Sequence, residues 1–124
     1  MARMEQKAQE QTGTPSAGLP SFAGQAAEEQ PRLWRALQEL GEQATRAGPL
    51  DTRTQRLVHL ALALAAGSEG ATHSHARRAL AEGLGPLELE HVAWLAVTTL
   101  GWSQAIRGLT WIRDVTRDPP EPGV

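Results

Sequence analysis

Punctuation by glycine and proline limits this chain more than any other feature. Pro31, Gly48-Pro49, Gly67, Gly83, Pro86 and Gly101 cut its middle into segments of helix length. Proline fits the first turn of a helix but not its interior, and glycine suits the left-handed residue just past a helix end. Pro31 therefore opens a helix through LWRALQELGEQATRA that stops at Gly48-Pro49, with Leu33, Leu37 and Leu40 at helical spacing and Trp34 beside them. Asp51 suits the N-cap of a second helix, which carries Leu57, Leu60, Ala61 and Leu64 and stops at Gly67. A third, shorter helix is predicted over Thr72 to Glu82, with Gly83 after it. Pro86 opens a fourth, carrying Leu89, Val92, Ala93, Ala96 and Leu100, and Gly101 closes it. Trp102, Ala105, Ile106, Leu109 and Ile112 mark a fifth. No segment alternates apolar and polar residues as a half-buried strand does. The fold class predicted is all-α, a compact bundle of about five to six helices.

The ends read differently. Residues 1–18 are polar and finish in Gly, Thr, Pro and Ser, so they are expected to form an arm. Residues 117–124 are a tail, because adjacent prolines cannot continue a helix. Between them, residues 19–116 make one helical domain, which is what 124 residues ordinarily allow. Four Trp, one Phe and no Tyr leave the core mainly to Ala and Leu, which suit helices packed at close range.

Helices two and four, LVHLALALAA and VAWLAVTTLGW, are apolar round much of their circumference. Five short helices cannot cover both within one small domain. A homo-oligomer is therefore expected, with one of these helices or the last at the interface. Nucleic acid is not an expected partner, because the net charge is −2 and the eleven arginines are spread along the chain. No apolar run is long enough for a membrane span. The terminus MARMEQKAQEQTG lacks the apolar stretch of a signal peptide, so a cytoplasmic location is expected. With no cysteine there is no disulfide, thiolate zinc site or redox dithiol. No cofactor is expected.

From Pro31 to Asp114 the chain resembles the carboxymuconolactone decarboxylase family, which includes the alkylhydroperoxidase D-like proteins. The likeness lies in ordered features: Gly48-Pro49-Leu50-Asp51 ahead of an Ala/Leu helix that ends at Gly67, then His75, Ala79, Gly83-Leu84 and Pro86-Leu87-Glu88, and a last apolar stretch with Gly101. The resemblance implies the family's helical fold and a trimer or hexamer. The family's peroxidases use a C-x-x-C pair ahead of the histidine and a glutamate on the preceding helix. Their positions fall on Ser68, Ala71 and Arg56 here, so only His75 is retained. Serine cannot replace a thiolate that must also form a disulfide. Peroxidase activity is thus disfavoured, and the resemblance points to the branch that works without cysteine, on a small carboxylate or lactone.

In that reading His75 shifts a proton, Arg56 holds an anion, and Glu69 with Ser68 shapes the site. His59 shares a helix face with Arg56 and is counted with His73 among substrate-binding candidates. His59 also sits amid Leu57, Leu60 and Ala63, as a structural histidine bonded to a backbone or Ser/Thr oxygen would. His73 lies about 200° round a helix from His75, so one of the two is expected to face solvent, and His73 is the one chosen. Arg56 and His75 line one elongated pocket only if the third helix folds back along the second, as the resemblance implies. Glu69, His73, His75 and His91 are of metal-ligand type, but no third ligand falls at a converging spacing, so no metal is expected. Glu88 and Glu90 read as first-turn acids favoured by the helix dipole. Trp94 and Trp102 read as core or interface anchors. The alternative is a non-catalytic oligomeric scaffold or small-ligand binder whose site has decayed.

Overall fold

The computed structural model describes residues 21–117, which form six helices and, among the described residues, no strand. The expected arm over 1–18, and all of the expected tail except Arg117, lie outside them. The chain divides at Pro49/Leu50 into two compact units.

The first unit holds α1 (Ser21–Glu29) and α2 (Pro31–Arg46). The sequence marked no separate helix before Pro31. Gln30 separates the two in a non-helical conformation (φ −131°, ψ 69°), as proline disfavours a helical residue before it. On α2, Leu33, Leu37 and Leu40 are 67%, 56% and 64% exposed, so this predicted apolar stripe is not buried.

The second unit holds α3 (Thr52–Ala65), α4 (Glu69–Ala81), α5 (Pro86–Leu100) and α6 (Trp102–Thr116). Each start has a local cause. The Asp51 carboxylate accepts the Thr54 amide at 2.7 Å, and Ser68 Oγ accepts the Ala71 amide at 3.2 Å. Ser68 therefore begins α4 one turn earlier than the predicted Thr72. Pro86 opens α5, where the Glu88 carboxylate accepts the Gly85 amide at 3.1 Å. Gly67 and Gly83 end their helices at positive φ, as expected. Gly101 alone links α5 to α6, at φ 91° and ψ 162°, a region open essentially only to glycine.

α3 packs on α4 and α5, α6 packs on the same two, and the pairs α3–α6 and α4–α5 meet least. The four helices thus stand at the corners of a square in the order α3, α4, α6, α5. Leu60, Leu64, Leu84, Leu89, Leu109 and Ile112 fill its middle with Ala76, Ala79 and Ala93. Small residues let the backbones approach: a Cβ added to Gly108 would lie 2.4 Å from Leu64 Cδ1 and Cγ. Between α5 and α6, Glu90 is buried and accepts from Arg113 Nε at 2.9 Å, with Arg117 3.6 Å away. This carboxylate, read from sequence as a dipole acid, is a latch between two helices. Trp94 and Trp102 are both exposed, so neither anchors the core.

Candidate functional site

The seam between α3 and α4 brings together Arg56, His59, His75 and Glu82. Arg56, one turn into α3, donates from Nε to Glu82 Oε1 at 2.9 Å, just past the end of α4. The two helices are therefore antiparallel, and α4 folds back along α3. Arg78 donates to the other oxygen of Glu82 at 3.1 Å. Partial burial works to raise the Glu82 pKa, but hydrogen bonds from Arg56 and Arg78 outweigh it and hold the carboxyl below its ordinary value. The three groups carry a net positive charge.

Arg56 is only 5% exposed, and its Nη1 is buried with no hydrogen-bond partner. A buried guanidinium N–H without an acceptor is costly, which marks it as a donor able to take a ligand oxygen. One turn along α3, His59 faces His75 of α4 with ring centroids 5.4 Å apart. His59 Nδ1 is likewise buried without a partner, so the backbone or hydroxyl bond expected for a structural histidine is missing at that atom. Burial holds the His75 pKa below the ordinary imidazole value, and His59, Arg78 and Arg56 push it the same way. These effects favour the neutral form of His75, the form that can accept a proton.

The remaining sequence candidates lie elsewhere. Ser68 is occupied in capping α4, and its partner in that bond is Ala71. The two positions where the resemblance puts the peroxidase cysteines are thus joined here as a helix cap. His73 points to α6, where its Nε2 lies 2.9 Å from Asp114 Oδ2, and Glu69 belongs to that corner. His73 and His75 face different ways, but His73, expected to face solvent, is half-buried against α6 because Asp114 meets it there. His91 is exposed on α5 beside an open groove of about 460 Å³ against α3, lined by Val58, Leu62, Val92 and Leu95. Sequence reasoning missed Glu82, whose only signal was its four-residue spacing from Arg78, and Asp114, which had none.

The model of the carboxymuconolactone decarboxylase family matches residues 31–114, more than half of the chain. The chain belongs to this family. It is a member without the C-x-x-C pair, since it holds no cysteine. No curated protein and no solved structure matches it. No helix among the described residues is long and apolar enough to cross a membrane.

Proposed function

We propose that the α3–α4 seam binds a small carboxylate or lactone and that His75 moves a proton on it. The observation that carries this reading is the His75 ring set against His59 on the same helix seam as a buried, unpartnered Arg56 N–H. Arg56 would hold the carboxylate through Nη1 while Glu82 keeps Nε, so the guanidinium stays fixed as the ligand arrives. His75 would take a proton from the bound molecule and return it, with His59 Nδ1 receiving or supplying a second hydrogen bond. A member without thiols can decarboxylate by such proton transfer: the C–C bond to the carboxylate breaks, CO2 leaves, and the carbanion takes the proton that His75 carries, with no redox partner needed.

A second reading follows from the Arg56–Glu82–Arg78 chain of ion pairs. That chain already neutralises part of the charge and would serve a non-catalytic ligand-binding member or scaffold. Titration calorimetry with small carboxylates and lactones, together with turnover assays, separates the readings. The enzyme reading requires turnover that His75→Ala abolishes and binding that Arg56→Met weakens. Binding lost in Arg56→Met with no turnover by the parent protein supports the binder. A parent protein that neither binds nor turns over any such compound defeats both.

The open groove between α3 and α5, with Leu62 61% and Leu95 63% exposed, is the face we assign to the expected homo-oligomer.

A further inference from the structure

Glu69 and His73 stand one turn apart on α4, and Asp114 comes from the last turn of α6, packed beside it. One ligand atom from each lies within 4.8 Å of the other two, and His73 Nε2 is 2.9 Å from Asp114 Oδ2. Donor atoms bound about 2.0–2.2 Å from one ion stand roughly 3–4 Å apart, so small side-chain rotations bring the three into place. The local charge favours a cation. Arg113 and Arg117, the basic neighbours of Asp114 in sequence, turn to Glu90 instead. Among the described residues no arginine pairs with Glu69 or Asp114.

We propose that Glu69, His73 and Asp114 form a binding site for a divalent transition ion of the zinc type. One imidazole and two carboxylates suit a borderline ion better than Ca²⁺ or Mg²⁺, which prefer oxygen throughout. The ion binds His73 at Nε2 in place of the proton that this nitrogen donates to Asp114; that proton moves to Nδ1 or is released to solvent, leaving a neutral ring with its one proton on Nδ1. Two carboxylates with a neutral imidazole carry the charge that a divalent cation neutralises. Water completes the coordination, because Glu69 and Asp114 are both exposed. Such an ion clamps the start of α4 to the end of α6. It does so on the opposite side of α4 from His75, so the site is independent of the proposed anion site.

The test uses untagged full-length protein freed of metal by chelation and dialysis. Titration calorimetry with Zn²⁺, and the visible spectrum of Co²⁺, report occupancy. One ion per chain is expected, with a rise in melting temperature as Zn²⁺ binds. His73→Ala and Asp114→Asn should each weaken binding roughly tenfold or more, at least the loss that follows when a ligand's support is removed. Asp114 is exposed and its change conservative, so that variant should fold as the parent does, which circular dichroism checks. His75→Ala should leave binding unchanged. Failure of the parent to bind Zn²⁺ or Co²⁺ overturns the proposal. So does binding that survives both His73→Ala and Asp114→Asn, or binding abolished by His75→Ala, which would place the ion on the His59–His75 pair.

Discussion

Replacing Gly108 by alanine should destabilise the chain, and the same change should become harmless once Leu64 is shortened. Alanine is preferred to glycine in a helix interior by about 1 kcal/mol, so propensity alone predicts a gain. The contacts oppose it. The new Cβ would sit 2.4 Å from Leu64 Cδ1 and Cγ and 3.0 Å from Cδ2. Carbon atoms are comfortable near 3.5–4.0 Å, so the overlap is about 1 Å or more. Leu64 is 1% exposed and belongs to the central cluster, so it cannot swing into solvent. Overpacking of this kind costs about 1–3 kcal/mol, which leaves a net loss of up to about 2 kcal/mol after the helix gain. Leu64→Ala alone should cost about 2–5 kcal/mol through lost burial and the cavity it leaves. In that background the methyl at position 108 enters vacated space, so Gly108→Ala should be neutral or stabilising. Urea unfolding of the four proteins, followed by far-ultraviolet circular dichroism, gives a coupling energy of about 1–3 kcal/mol. Two additive changes, with Gly108→Ala raising stability on its own, would refute the close approach of α6 to α3.

Acidification provides another measurement. Because His75 titrates below its unfolded value, the native state binds fewer protons than the unfolded one in that window. Its contribution is fully present above pH ~6.5 and is lost as pH falls through the lower native pKa; His75→Asn should flatten that part of the stability profile in thermal melts. Glu82 contributes a separate loss at pH below ~4.5, since its carboxyl is also held low, and Glu82→Gln should remove it. At neutral pH, Glu82→Gln leaves Arg56 buried without its charged partner and should cost about 1–3 kcal/mol by urea unfolding; most of that loss should vanish in an Arg56→Met background. Leu95→Glu should lower the assembly mass seen by light scattering, and a parent protein that is already a monomer would disprove the assigned interface.

The helices were legible because their ends carry local chemistry. Asp51, Gly67, Gly83, Pro86 and Gly101 act within a few residues of themselves, and each does what its type predicts. Ser68 shows where that logic slips. It stands at one of the two cysteine positions that the resemblance implies and is expected to shape the site, while its capping bond to Ala71 sets the true start of α4. The polar seam was legible only in part. Arg56 and His59 are one turn apart on one helix, but their pairing with Glu82 and His75 depends on how two helices align, which spacing does not encode. Asp114 lay further still from view, because it reaches His73 only when α6 packs on α4. Glu90 was misjudged for a similar reason: a first-turn acid is ordinarily solvated, and only the position of Arg113 buries it.

The brevity of the links bears on how such a protein acquires new chemistry. One to four residues join each helix of the second unit to the next, and the last link is Gly101 alone. Many enzyme scaffolds diversify by lengthening or replacing loops at one end, leaving the frame untouched. Here an insertion would have to displace a helix cap, so that route is narrow. Innovation in this architecture must proceed by exchanging side chains in place along helix faces, with backbone positions preserved. Ser68, Ala71 and Arg56, on which the resemblance puts two thiols and a carboxylate, are differences of that kind.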